Sequence, residues 1–185
     1  MRADKEQRRR ANYAKHLAEK RAREGYTFDE AYDKMYERNY FGMAMVESGD
    51  ADAMITGLYT KYSDTIKIAK DVIGIRPEYK HFGTMHILNT KRGIYYIADT
   101  LINRMPNAEA LADITRLAHH SVKFFNDDPV MAMVSFSNFG SDEGGSPQQV
   151  REALAITQET HPDWLIDGEM QINFALDKKL CDEKY

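Results

Sequence analysis

One cysteine, Cys181, serves all 185 residues. That scarcity excludes a disulfide framework and any multi-cysteine metal site, and a reducing, cytoplasmic setting is the expectation. Long apolar runs are missing too. Nothing approaches the ~20 residues of a membrane span, and the basic amino end lacks the apolar stretch of a secretory signal. Neither G-x-x-x-x-G-K-[ST] nor G-x-G-x-x-G occurs, so no P-loop or dinucleotide fingerprint is present. No G-x-S-x-G elbow surrounds a serine. Repeats and low-complexity tracts are absent as well.

What is present is an ordinary globular composition, 43% hydrophobic and 29% charged, in a chain long enough for a substantial core. The overall charge of −4 hides an asymmetry: residues 1–23 carry nine Lys or Arg against Asp4, Glu6 and Glu19, so the remainder is strongly acidic. Tyr13 is the one aromatic residue of that segment, too few for a series of stacking platforms among the arginines. The leader therefore reads as a solvated helix, and no nucleic-acid partner is expected.

Residues 6–25 are rich in helix formers and close with Gly25, a C-cap signal. A capping box, Thr27 with Glu30, opens a second helix that the pattern carries to Gly49. "ADAMITG" reads as a short buried strand, and "SDTIKIAKDVIG" as a helix with Ser63 as N-cap, ending at Gly74. "HFGTMHIL" and "IYYIADTLI", separated by "NTKRG", form a hairpin signal. Asn107 caps a long helix, "VMAMVSFS" is a buried strand, and Ser146 with Pro147 begins another helix. "WLIDGEMQ" is a strand and "INFALDKKLCDEKY" starts a helix. Alternation of strand and helix predicts an α/β protein with a mostly parallel sheet plus a β-hairpin. We read one partial domain over residues 1–185, with a helical lead-in (1–50), an α/β lobe (51–176) and the start of a helix (177–185). Both ends read as cuts within a longer protein.

Two loops have the make-up of anion cradles. "TGLYTKYSDTIK" places Thr56, Gly57, Ser63 and Thr65 before a helix start, with Lys67 as a cation; "SFSNFGSDEGGSP" follows a later strand. Turn-making and capping account for such residues equally. Asp99, Asp167 and Glu169 sit at strand ends, where general acid–base work is possible, but acceptance of hydrogen bonds from loop amides is favoured. His119 and His120 are adjacent on a helix and point apart, His81 and His86 have no ligand cluster nearby, and nothing local activates Cys181. No metal or nucleophile chemistry is expected. Met43, Met45, Met131 and Met133 read as core filler. The aromatic and methionine residues of "MYERNYFGMAM" and "YYIADTLI" suggest a homo-oligomer.

The segments "YFGMAMVESGDADAMITG", "SDTIK", "GTMHIL", "YYIADTLIN", "VMAMVSFSNFGS" and "LIDGEMQINFAL", in that order, resemble the phosphate acetyl/butyryl transferase family. "RNYFGMAMVE" and "SFSNFGS" resemble in particular the carboxyl-terminal region of large bacterial NADP-dependent malic enzymes; stand-alone phosphotransacetylases tend to carry a lysine-containing "STKGS"-like loop. The resemblance implies a three-layer α/β/α fold of the isocitrate/isopropylmalate dehydrogenase type. In stand-alone members, acetyl moves between coenzyme A and phosphate. In the malic enzymes, the NADP, the divalent metal and malate oxidation belong to an upstream domain, and the present region senses acetyl-CoA or a related metabolite and supports oligomerisation.

By the same resemblance, Arg21 matches a coenzyme A-associated arginine, Ser63 and Thr65 an S-x-T helix start that contacts the acyl phosphate, and Asp99 and Thr100 an "AD(S/T)" strand end. Ser137 and Asn138 fall on the second cradle loop. Lys67 stands where the transferases have arginine, which trades a bidentate fork for a point charge. The family's late Ser-Arg…Asp catalytic segment has no counterpart in these residues. The expectation is ligand binding without acetyl transfer. A true phosphate acetyltransferase and a purely structural dimerisation module are the alternatives.

Overall fold

The computed structural model describes residues 2–125 and 127–184. It divides into two units, Met1–Ile75 and Arg76–Tyr185.

The first unit is helical. Helix α1 (Arg2–Lys20) is followed by a 3-10 turn (Ala22–Glu24), then α2 (Phe28–Lys34), α3 (Arg38–Glu47) and α4 (Tyr62–Val72). Gly25 adopts the left-handed conformation and caps the turn as its sequence predicts. The Thr27–Glu30 capping box forms in full. The single helix expected over 27–49 is instead two. No Gly or Pro breaks "KMYER"; the backbone turns so that Met35 enters the core, 1% exposed, and Glu37 goes extended ahead of α3. Tyr13, Ala14 and Leu17 of α1 pack there with Ala31, Tyr40, Met43 and Ile68.

Two local expectations fail here. The strand "ADAMITG" is irregular backbone, with Ile55 fully exposed, because no neighbouring strand in its unit offers a ladder to pair with. The helix at 62 begins one residue before Ser63, so its N-cap is Lys61, which supplies no side-chain cap.

The second unit mixes strands and helices. Strands β1 (Met85–Thr90) and β2 (Gly93–Ala98) form an antiparallel hairpin, with Met85 opposite Ala98 and Thr90 opposite Gly93. Helix α5 (Ala108–Phe124) starts at the predicted cap, where Asn107 accepts from the Ala110 amide. Strand β3 (Val130–Val134), helix α6 (Gly145–Thr160) and strand β4 (Leu165–Met170) make a βαβ unit with a parallel ladder. Two short helices follow, α7 (Ile172–Leu176) and α8 (Lys178–Lys184), where one was expected.

The α/β class holds, but the described strands form two separate two-stranded sheets, one antiparallel and one parallel, in place of a mostly parallel sheet. Strand β3 is not fully buried as expected: Met133 is, while Val130 is 79% exposed, because α6 covers one face of a two-stranded pair and leaves the other open. The N-cap of α6 is Gly144, not Ser146, and Pro147 is the third helical residue, a position where an N–H would have no intrahelical partner, so proline's lack of one costs no helical bond. Gly168 of β4 is required where it stands. A Cβ there would lie 2.6 Å from the Met133 carbonyl oxygen, and its φ of +149° lies in the region L side chains rarely adopt.

No described helix is long and apolar enough to cross a membrane.

Candidate functional site

In the first unit, a cleft of about 440 Å³ opens at the start of α4, lined by Met54, Ile55, Thr56, Gly57, Thr60, Tyr62 and Thr65. Its polar side is a relay of side chains. The Thr56 hydroxyl donates to Asn39 Oδ1 at 2.7 Å, Asn39 Nδ2 donates to the Thr60 hydroxyl at 3.0 Å, and Thr60 meets Thr65 at 3.1 Å. Asn39, on α3, is 6% exposed and fixes both threonines of the irregular loop. Gly57 takes a φ of +130° to make the turn. The first turn of α4 has no side-chain cap. The Asp64 amide donates to the Lys61 carbonyl at 3.0 Å, which leaves the Tyr62 and Ser63 amides and the helix's partial positive charge to an anion, in a turn that also carries the Asp64 carboxylate. The opposite wall is apolar.

Of the predicted residues, Gly57 and Thr65 line this cleft, while Ser63 lies in the same first turn. Lys67 is exposed and only loosely paired with Asp64 at 3.8 Å. Arg21 is placed elsewhere in the unit. Its Nε donates to the Asp71 carbonyl at 2.8 Å, one terminal nitrogen donates to the Lys70 carbonyl, and the other binds Glu24 at 2.7 Å. Lys20 joins it, donating to the carbonyls of Val72 and Ile73. Both cations therefore hold the carboxyl end of α4, about 9 Å along the helix axis from Thr65. Beside them, Asp71 accepts from Tyr26 and Tyr40. Burial would raise its pKa, but those two hydroxyls with Lys34 and Arg21 hold it below the ordinary carboxylate value.

The second unit contains the other four predicted residues. Asp99, just past β2, accepts from the Thr84 amide and hydroxyl and from the Asn103 amide and side chain. These donors overcome the effect of burial and depress its pKa. The neighbouring Thr100 hydroxyl is buried with no partner among the described residues.

The loop after β3 does bind an anion, and the anion is its own. Glu169 of β4 is completely buried. Its Oε1 accepts from the Ser137 hydroxyl at 2.9 Å, the Gly140 amide at 2.9 Å and Arg151 of α6 at 3.1 Å. Burial pushes this carboxyl up, but the Gly140 amide, Ser137 and Arg151 together hold it below its ordinary value. Its Oε2 is buried with no partner among the described residues. Ser137 is 3% exposed, and its hydroxyl also meets Ser141 at 2.9 Å and receives the Asp142 amide at 3.0 Å. Asn138 Oδ1 accepts the Gln171 amide at 2.8 Å. The preference for carboxylates as acceptors of loop amides is met at Asp99 and at Glu169, whereas Asp167 accepts the amide of its own strand neighbour, Gly168.

Sequence reasoning missed Asn39, Arg151 and the Asp113 cluster. Buried Asp113 on α5 accepts His81 Nδ1 at 2.8 Å and the Lys80 amide, and pairs with Arg116. Only Arg116, three residues on, carried a sequence signal for that pairing. Among the described residues, no group of three His, Cys, Asp or Glu side chains is placed to hold a metal.

The family described as Phosphate acetyl/butaryl transferase matches residues 1–185. An NADP-dependent malic enzyme of Escherichia coli is 38% identical over 155 residues, 83% of this chain and 20% of that protein. A phosphate acetyltransferase of Nitratidesulfovibrio vulgaris is 32% identical over 89% of this chain and 23% of its own length. The chain thus spans about a fifth to a quarter of these relatives. Among solved structures, a phosphotransacetylase from Streptococcus pyogenes superposes with a TM-score of 0.77 at 33% identity, covering 88% of this chain and 50% of that one. The EutD phosphotransacetylase from Staphylococcus aureus superposes with a TM-score of 0.79 at 27% identity, over 94% of this chain and 54% of its own. With its whole described length matched and its helices and small sheets shared with phosphotransacetylases, the chain belongs to the phosphate acetyl/butyryl transferase family.

Proposed function

We propose that this phosphotransacetylase-like chain binds an acyl phosphate, or the acyl end of acetyl-CoA, and that in a parent NADP-dependent malic enzyme it regulates malate oxidation and supports homo-oligomerisation. The observation that carries this is the cleft at the uncapped start of α4. Threonine hydroxyls ordered by Asn39 and the helix amides suit a phosphate, and Met54, Ile55 and Tyr62 suit a short acyl chain. The 38% identity to a malic enzyme supports that parentage. On this reading the complete family fold is three-layered and of the isocitrate/isopropylmalate dehydrogenase type, NADP and a divalent metal serve an upstream domain, and the setting is the cytoplasm.

Calorimetric titration of acetyl phosphate and acetyl-CoA into the chain tests the proposal. Saturable binding is expected, weakened about tenfold by Thr65→Val, the scale of one lost hydrogen bond to a charged group. No acetyl phosphate should form from acetyl-CoA and phosphate. Formation that scales with protein supports the second reading, a phosphate acetyltransferase, which the two phosphotransacetylase structures favour. Failure of both ligands to bind would leave a structural role.

A further inference from the structure

Trp164 is the chain's one tryptophan. The ring of His119, on α5, stacks on it at a centroid distance of 3.7 Å and an interplanar angle of 8°. The ring of His161, which closes α6, does the same at 3.9 Å and 6°. Two imidazoles centred this close over one indole cannot share a face, so the three rings form a layered stack. Backbone bonds fix the turn that presents it: the His161 amide donates to the Thr157 carbonyl at 2.8 Å, and the Trp164 amide to the His161 carbonyl at 3.2 Å. Trp164 leads directly into β4, whose far end carries Glu169.

We propose that the His119–Trp164–His161 stack is a proton-responsive clasp, which pins α5 to the turn between α6 and β4 while its imidazoles are neutral and loosens as they are protonated. A single imidazolium is welcome on an indole face through cation–π attraction. Two of them face each other through one ring with little water between, and like charges repel. The charged and titratable groups around His119 add to this. Lys123 and His120 on α5 and His161 at the end of α6 oppose a positive charge there, while Asp163 in the turn alone favours it. Lys123 is itself paired with Asp128. Burial is the largest influence and acts in the same direction, so the His119 pKa is lowered. The clasp involves no residue of the α4 cleft and stands apart from the ligand-binding proposal.

The indole is its own reporter, because an imidazolium against an excited indole accepts an electron and quenches its emission. Tryptophan emission of the 185-residue chain is measured between about pH 8 and about pH 5, the range in which histidine titrates. Emission should fall on acidification as the first imidazole takes its proton within the closed stack. The hydrogen-exchange protection factors of the His161 and Trp164 amides should fall as the second proton opens the clasp; protection unchanged by acidification would overturn the proposal. His119→Phe and His161→Phe, which keep a stacked ring without a titrating group, should each reduce the fall, and the double variant should abolish it. Proton NMR of the unaltered chain removes any dependence on variant folding: the His119 imidazole should titrate below the ordinary value of about 6.5. A flat emission profile in the unaltered chain, a fall that persists in the double variant, or a His119 midpoint at or above the ordinary value would overturn the proposal.

Discussion

Glu169 is held by three donors on one oxygen and by none among the described residues on the other, with no exposure to water. Removing the side chain leaves Arg151 without its carboxylate and takes one acceptor from the buried Ser137 hydroxyl and from the Gly140 amide. Glu169→Ala is therefore expected to lower unfolding free energy by about 2–3 kcal/mol in denaturant titration, less than the ~3–5 kcal/mol of a fully buried pair because Arg151 is 30% exposed and keeps the Asp142 carbonyl. Glu169→Gln keeps an acceptor for the same donors and should cost less. Gly168→Ala, one residue earlier, should also destabilise by at least ~1–3 kcal/mol, since it adds a methyl against the Met133 carbonyl in a left-handed backbone region. The sequence shows that a carboxylate stands at this strand end and that the "SNFG" loop is suited to an anion. It does not show that the two are partners, because residues 137 and 169 come together only when β3 and β4 pair.

At the scale of elements, α4 is held by side chains at its carboxyl end and left open at its amino end. Lys20 and Arg21 complete the last-turn carbonyls and complement the helix dipole. Arg21→Ala should cost about 1 kcal/mol, from the part-buried Asp71 carbonyl and the exposed Lys70 carbonyl losing their donor. Hydrogen exchange should locate the loss in the amides that close the last turn of α4, with acyl-phosphate affinity changed little. A large, selective loss of acetyl-CoA binding without loss of stability would instead restore the ligand role that resemblance suggests for Arg21. Local capping chemistry made Gly25, the Thr27–Glu30 box and Asn107 readable, since each bond spans only a few residues. The break at Met35 and the irregular 51–57 segment were not readable. One depends on a buried side chain pulling the backbone inward, the other on whether a neighbouring strand exists.

For the whole molecule, acid stability follows mainly from the partly or fully buried carboxylates held below their ordinary values, Asp71 in the first unit and Asp99, Asp113 and Glu169 in the second. Exposed Glu30 and Asp128 are lowered too, but water screens them. A depressed folded pKa contributes stability that is present above the unfolded value of about 4 and lost as pH falls through the folded one. His119 has the opposite charge type. Its lowered pKa means that the unfolded chain takes up the proton first, so stability declines as pH falls below about 6.5 and levels off below the folded value. Melting temperature should therefore drop in two stages on acidification, and His119→Phe should remove the milder one. A single drop, confined to below about pH 4 and unchanged by the substitution, would contradict this assignment. Fold class and family were readable because ordered strand, turn and helix wording extends over most of the chain. The division of the anion-binding loops was not, since both have the same small, polar, glycine-bearing make-up.

On the proposed function, phosphate binds at the α4 cleft, while the loop after β3 has its anion seat filled by Glu169. Amide chemical shifts during titration with acetyl phosphate test it most directly. Saturable shifts are expected among residues 56–65, with none at Ser137–Gly140. Shifts centred on Ser137–Gly140, with residues 56–65 unmoved, would contradict it.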